Sequence, residues 1–188
     1  MTDDSFADLV AAGGPLAADR VARAVCSVAG EVDRRAAAGD PHGRLSPAAI
    51  TATPDGGVLI DPAAETPTME FAVHAAPEVI GGAAADARSE VFSLASTAYT
   101  LLTGRTPNSF GIATTRRARP DLGPGVEAVL TRATSRDPAF RYPSASDFAR
   151  ALDAALTSAG TPTVAPVARA DERTRRSPWR PSTWRRRR

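Results

Sequence analysis

His42-Gly43-Arg44-Leu45-Ser46-Pro47-Ala48-Ala49-Ile50 is the stretch on which the fold of this chain turns. Just after it, Ile50-Thr51-Ala52-Thr53, the turn Pro54-Asp55-Gly56-Gly57 and Val58-Leu59-Ile60 predict a short hairpin, an Asp-Gly turn between two β-prone runs. Asp61-Pro62-Ala63 follows, and after 12 intervening residues comes Ala76-Pro77-Glu78. Upstream, the capping-box pattern Ser5-x-x-Asp8 opens a short helix carrying Phe6, Leu9 and Val10. A longer helix is predicted from a first turn at Pro15 to about Ala38, with Val21, Val25, Val28 and Val32 on one stripe and Gly39 past its end. Downstream, Val91, Leu94, Ala95, Ala98, Leu101 and Leu102 give Glu90–Thr103 a wide apolar face that Gly104 terminates. Val126, Val129, Leu130 and Ala133 mark another helix. A last one opens with Ser144-x-x-Asp147 and carries Phe148, Leu152 and Leu156.

Taken in order, these pieces resemble the C-terminal lobe of bacterial serine/threonine protein kinases. The opening stretch is similar to the catalytic loop H-R-D-L-K-P-x-N-I, Asp61-Pro62-Ala63 stands where D-F-G belongs, and Ala76-Pro77-Glu78 matches A-P-E. Asp86-Ala87-Arg88-Ser89-Glu90-Val91-Phe92-Ser93-Leu94 and Leu101-Leu102-Thr103-Gly104-Arg105-Thr106-Pro107 look like D-x-R-S-D-V-Y-S-L and L-L-T-G-R-x-P. Asp137-Pro138-Ala139-Phe140-Arg141-Tyr142-Pro143-Ser144-Ala145 resembles the D-P-x-x-R-Y-P-S-A segment that closes the lobe. The likeness covers about residues 5–157 and is nearest to degenerate actinobacterial proteins whose loop begins H-G-x-L-S-P; all-arginine basicity and abundant alanine fit a GC-rich genome. It implies a mainly α fold, a kinase-like C-lobe with a small β-hairpin and no N-lobe. Only 41 residues precede His42, against roughly 100 in a complete kinase.

The resemblance assigns roles that these residues fill poorly. Arg44 occupies the position of the aspartate that accepts the substrate hydroxyl's proton, and a guanidinium accepts none. Ala49 replaces the asparagine that holds magnesium. No lysine occurs among the 23 basic residues, so the phosphate-gripping lysine has no counterpart here. Asp61 is a vestigial metal ligand or a turn-capping aspartate; one carboxylate is little for magnesium, which needs several oxygens. Pro62 replaces the phenylalanine that links the two kinase lobes. Thr66 and Thr68 are candidate phosphate acceptors, but Gly43 stands where kinases carry the arginine that reads such a phosphate. Phe71 and His74 replace the threonine and tyrosine of the substrate-positioning loop, and His74 is expected to be a partly exposed polar residue. Arg44 is either an anion-binding group or a loop arginine facing water or a local acid. His42 is read as a structural histidine bonding backbone. Glu90, one methylene longer than the family's aspartate, is expected to accept loop amides, and Glu78 and Arg141 are expected to form a buried ion pair. No cofactor is implied.

Residues 1–158 are read as the lobe and residues 159–188 as a disordered Pro/Arg-rich basic tail. Residues 1–160 hold 14 Arg against 19 acids, a net of −5, while residues 161–188 hold 9 Arg against 2 acids, a net of +7. The 43% apolar content suits a core, and aromatics are only 5%, so packing rests on Val, Leu, Ile and Ala. Cys26, the lone cysteine, excludes a disulfide framework and is expected to be a small buried hydrophobe. An acidic N-terminus without an apolar leader, and no run of about 18 apolar residues, point to the cytoplasm. Trp179, Arg180, Trp184, Arg185, Arg186, Arg187 and Arg188 make the tail either a solvated linker or an anchor to the anionic inner membrane face. Nucleic acid is the weaker fit, since such arms bind it only non-specifically. The sequence thus reads as a pseudokinase, an inactive scaffold with a protein partner that it does not identify. A kinase with a non-standard site and a non-functional kinase fragment are the alternatives. Apolar surface is expected around Pro62, Ala63 and the hairpin, where an N-lobe would sit.

Overall fold

The computed structural model describes residues 4–60, 69–107 and 115–159. Asp61, Pro62, Ala63, Thr66, Thr68 and residues 160–188 of the tail, with Trp179, Arg180, Trp184 and Arg185–Arg188, lie outside them; Ala159 belongs to the last helix. Helix α1 (Phe6–Gly13) starts at the predicted capping box: Asp8 N–H donates to Ser5 Oγ at 3.2 Å, and Ser5 N–H donates to Asp8 Oδ2 at 3.1 Å. Helix α2 (Ala18–Ala37) buries Val21, Val25, Val28 and Val32. It begins three residues later than Pro15 suggests, because Leu16 N–H is committed to Leu101 O at 2.8 Å. Cys26 is exposed, contrary to its expected burial. It follows Val25 and so points about 100° away from the valine stripe, with its thiol 3.9 Å from Ala149 O.

Strands β1 (Ile50–Thr53) and β2 (Gly56–Leu59) pair antiparallel with Thr53 opposite Gly56, so Pro54-Asp55 alone makes the turn. The sequence reading placed both glycines in that turn. They belong to β2 because the strand lies flat on α2. A Cβ on Gly56, whose φ is +144°, would meet Arg23 O at 2.8 Å, and one on Gly57 would meet Ile50 Cγ2 at 2.6 Å. Ser27 Oγ pins the contact, donating to Gly57 O and accepting from Gly57 N–H, each at 2.9 Å. A bridge between Ser5 and Thr51 ties the N-terminal segment to the other edge of β1.

Helices α3 (Met69–His74) and α4 (Pro77–Ile80) lead into α5 (Ala87–Thr103), the axis of the fold. Asp86 and Ser89 form its capping box, and Gly104 closes it at φ +66° in the left-handed region that favours glycine. Leu94, Ala95, Ala98, Leu101 and Leu102 are fully buried in it. Its buried threonines need no outside partner, since Thr97 and Thr103 hydroxyls donate to the carbonyls of Ser93 and Tyr99 four residues back. The single turn α6 (Thr115–Ala118) stands between α5 and the next long helix. Helices α7 (Pro124–Ala133) and α8 (Ala145–Ala159) pack on each other and on α5, and α8 also lies along α2. The start of α8 is capped twice. Asp147 N–H donates to Ser144 Oγ at 3.0 Å, as its sequence box predicts, and Asp33 of α2 accepts Ala145 and Ser146 N–H at 2.7 and 3.0 Å.

Candidate functional site: a kinase-like loop on a buried helix

The 42–50 loop leaves the end of α2 and enters β1 through a single 3-10 turn, Pro47–Ala49. Leu45 and Ala49 are fully buried, so the Ala49 methyl packs inward with no lone pair to offer a ligand. His42 is 8% exposed. Arg44 N–H donates to its Nδ1 at 3.2 Å, which leaves Nε2 as the protonated nitrogen, donating to Ile60 O at 2.9 Å. Both ring nitrogens therefore serve the backbone, holding the loop against the hairpin. Arg44 itself is half-buried.

Glu90 holds the other side of the loop. Its Oε1 accepts the Gly43 N–H at 2.5 Å, and the side chain is 1% exposed. Its Oε2 is buried without a hydrogen-bond partner. Burial pushes the carboxyl up to about 7, against the downward pull of the Gly43 N–H and the Arg35 charge and with an upward push from Asp86. The extra methylene relative to aspartate thus keeps one bond to the loop and leaves the second oxygen idle.

A second polar cluster ties the A-P-E segment to the end of the lobe. Arg141 is 1% exposed and grips Glu78 with both terminal nitrogens, Nη1 to Oε1 at 2.5 Å and Nη2 to Oε2 at 2.8 Å. The Glu78 side chain keeps 25% exposure, so the pair is half-buried on its acid side. Burial raises the Glu78 carboxyl, but the Arg141 hydrogen bonds outweigh it and hold the group below its ordinary range. Arg141 also donates to Ser135 O at 2.8 Å and Arg88 O at 3.1 Å, and lies 4.9 Å over the Phe92 ring. Arg88 answers by donating to Pro138 O at 2.9 Å and Arg141 O at 3.3 Å. Sequence reasoning quoted Arg88 only as a motif letter. Its spacing of about one turn from Phe92 on α5 is the signal that could have placed it beside Arg141.

His74 corrects the sequence reading: it is fully buried, and its ring nitrogens find no well-formed hydrogen bond, only a weak pull from the Ser96 backbone. Burial lowers it to about 4, so the ring is neutral. It ends α3, which packs directly on α5, and the local pattern around Phe71-Ala72-Val73 did not reveal that contact. The two clusters and His74 share α5 as their base, whereas Asp61 falls outside the described residues. Among those residues no group of three or more His, Cys, Asp or Glu side chains is arranged to hold a metal, and no helix is long and apolar enough to cross a membrane. Val58 and Ile60 on the hairpin are 54% and 39% exposed, while Ile50 turns wholly inward.

No protein-family profile matches the chain. Its sequence is 32% identical over 126 residues to the serine/threonine-protein kinase PknJ of Mycobacterium tuberculosis, an alignment covering 56% of this chain and 21% of PknJ. It is 33% identical over 108 residues to PknF of the same species, covering 50% and 22%. A probable serine/threonine-protein kinase of Corynebacterium efficiens is 29% identical over 177 residues, covering 78% and 27%. The chain thus spans about a fifth to a quarter of the length of these curated relatives. The crystal structure of the Mycobacterium tuberculosis PknI kinase domain superposes with a TM-score of 0.71 at 28% identity, over 81% of this chain and 62% of that one. The described residues form a partial kinase-like region, related to the serine/threonine protein kinases of mycobacteria and corynebacteria and folded as the helical C-terminal lobe of a kinase domain.

Proposed function

We propose that this lobe is a pseudokinase, a binding or regulatory scaffold that transfers no phosphoryl group. One observation carries the reading. In the loop that resembles the kinase catalytic loop, a guanidinium and a methyl group, Arg44 and Ala49, stand in place of the proton acceptor and the metal ligand. The ties around that loop are kept: the His42 ring, the Glu90 carboxylate and the Glu78–Arg141 pair all hold backbone or each other. Architecture without an acceptor for the proton favours recognition over chemistry. The partner is a protein, and the exposed Val58 and Ile60 beside the loop are the face it would meet. Affinity capture of the intact protein from its own cells tests this. A partner lost on changing Val58 and Ile60 to Asp supports a scaffold, whereas capture unaffected by those changes moves the interface elsewhere.

A cytoplasmic, membrane-peripheral placement rests on the tail, where Trp179 and Trp184 are interleaved with arginines in a segment of net charge +7. Binding to anionic vesicles should fall steeply with added salt and vanish when residues 173–188 are deleted. Equal binding by the truncated protein would make the tail a solvated linker.

A further inference from the structure

We propose that Glu90 is a proton-operated latch on the 42–46 loop: the ionised carboxylate grips the Gly43 N–H, and protonation loosens the loop from α5. The loop is held on two flanks. On the hairpin side the His42 ring bridges Arg44 N–H and Ile60 O. On the α5 side, Glu90 Oε1 takes the Gly43 N–H at 2.5 Å. The residue that offers its N–H to Glu90 needs a backbone that favours glycine. Gly43 sits at φ +72°, where a side chain would be strained, and the nearest atom to a Cβ there would be the Ala85 methyl at 3.7 Å.

Glu90 is built to titrate. A carboxylate that is 1% exposed needs several donors to stay ionised, and this one has a single backbone N–H. Oε2 has no partner, so it can take a proton without breaking a bond. The charges acting on Glu90 from its surroundings are Arg35 of α2, which favours the ionised form, and Asp86 at the cap of α5, which opposes it. The loop itself brings two more ionisable groups beside the Gly43 amide, the His42 ring and the Arg44 guanidinium. Arg35 is divided between this site and Asp40, whose carboxylate lies 3.6 Å from its Nη2. Burial therefore prevails and places the exchange near neutral pH, at about 7. On protonation the charge-assisted bond to Gly43 becomes a neutral one, roughly half as strong. The loop then keeps its hold on the hairpin and relaxes its hold on α5.

The test is an amide and carboxyl NMR titration of the full-length chain from about pH 8 to about pH 5. The Gly43 amide proton should move upfield with a midpoint near 7, and the Glu90 Cδ resonance should trace the same curve. Glu90→Gln should flatten the Gly43 curve. Arg35→Gln should move both midpoints upward together, because the Arg35 charge favours the ionised form. A Gly43 curve that stays in place while the Glu90 Cδ curve moves would overturn the latch. A Glu90 Cδ midpoint in the ordinary carboxylate range, near 4.5, overturns the latch. So does a Gly43 step that survives in Glu90→Gln. The Cδ curve of the unaltered protein decides the matter if that variant fails to fold.

Discussion

Glu78 and Glu90 are both glutamates that bind a loop to the helical core, yet their environments drive them in opposite directions. Glu78 keeps a quarter of its side chain in water and meets a guanidinium with both oxygens, so it is held ionised. Glu90 is deeper, meets one backbone N–H and leaves an oxygen idle, so burial favours its protonated form. Donor count set against depth decides which. The first arrangement is a permanent tie between α4 and the end of the lobe. The second responds to solution conditions, and it lies directly under the loop that carries Arg44.

The sharpest way to break this contrast is to remove the tie. Glu78→Ala leaves the Arg141 guanidinium buried with carbonyls but no counter-charge, and unfolding in urea should show a loss of about 3–5 kcal/mol. A loss below about 1 kcal/mol would mean that the pair behaves like a surface salt bridge.

The next effect is of opposite sign in pH. Because the Glu90 carboxyl is raised from 4.5 to about 7, its contribution is complete below 4.5 and is lost as pH rises through 7. Stability measured across that window should therefore decline toward neutral pH by up to about 3 kcal/mol from this group, and Glu90→Gln should remove that part of the slope. An unchanged slope in the variant would remove Glu90 from the account.

His74 sharpens the comparison from the other side. Its ring is lowered from 6.5 to about 4, so its contribution is present above 6.5 and is lost as pH falls through 4. Glu90 and His74 thus offset each other between about pH 4.5 and 6.5, and the wild-type profile there should be flatter than either variant's. His74→Leu removes two poorly satisfied buried nitrogens and should hold its stability in acid, a gain of up to about 3 kcal/mol at the acid end. A variant that loses stability at every pH would show that the imidazole shape matters more than its desolvation.

The sequence carried the architecture well where the signal was local or belonged to an ordered motif. The capping boxes of α1 and α8, the valine stripe of α2 and the apolar face of α5 are one-dimensional patterns, and each appears where its residues predict. The kinase-like series also pointed to the Glu78–Arg141 contact across 63 positions, which no periodicity could have done. What escaped was set by tertiary packing. His74 reads as polar and lies buried, because α3 is pressed on α5. Cys26 reads as apolar and is exposed, being one position off the stripe. Gly56 and Gly57 read as turn residues, although the nearness of Arg23 O and Ile50 is what demands glycine there. Asp33 capping α8 from a different helix left no mark in either segment's own sequence.

Phosphoryl transfer itself is the most direct test of the central claim. The purified full-length protein, incubated with magnesium, labelled ATP and a generic serine/threonine acceptor, is predicted to give no incorporation above a protein-free control, because Arg44 and Ala49 supply neither proton acceptor nor metal ligand. Incorporation that rises with the concentration of this chain and saturates with ATP would contradict the account and make the protein a kinase with a non-standard site.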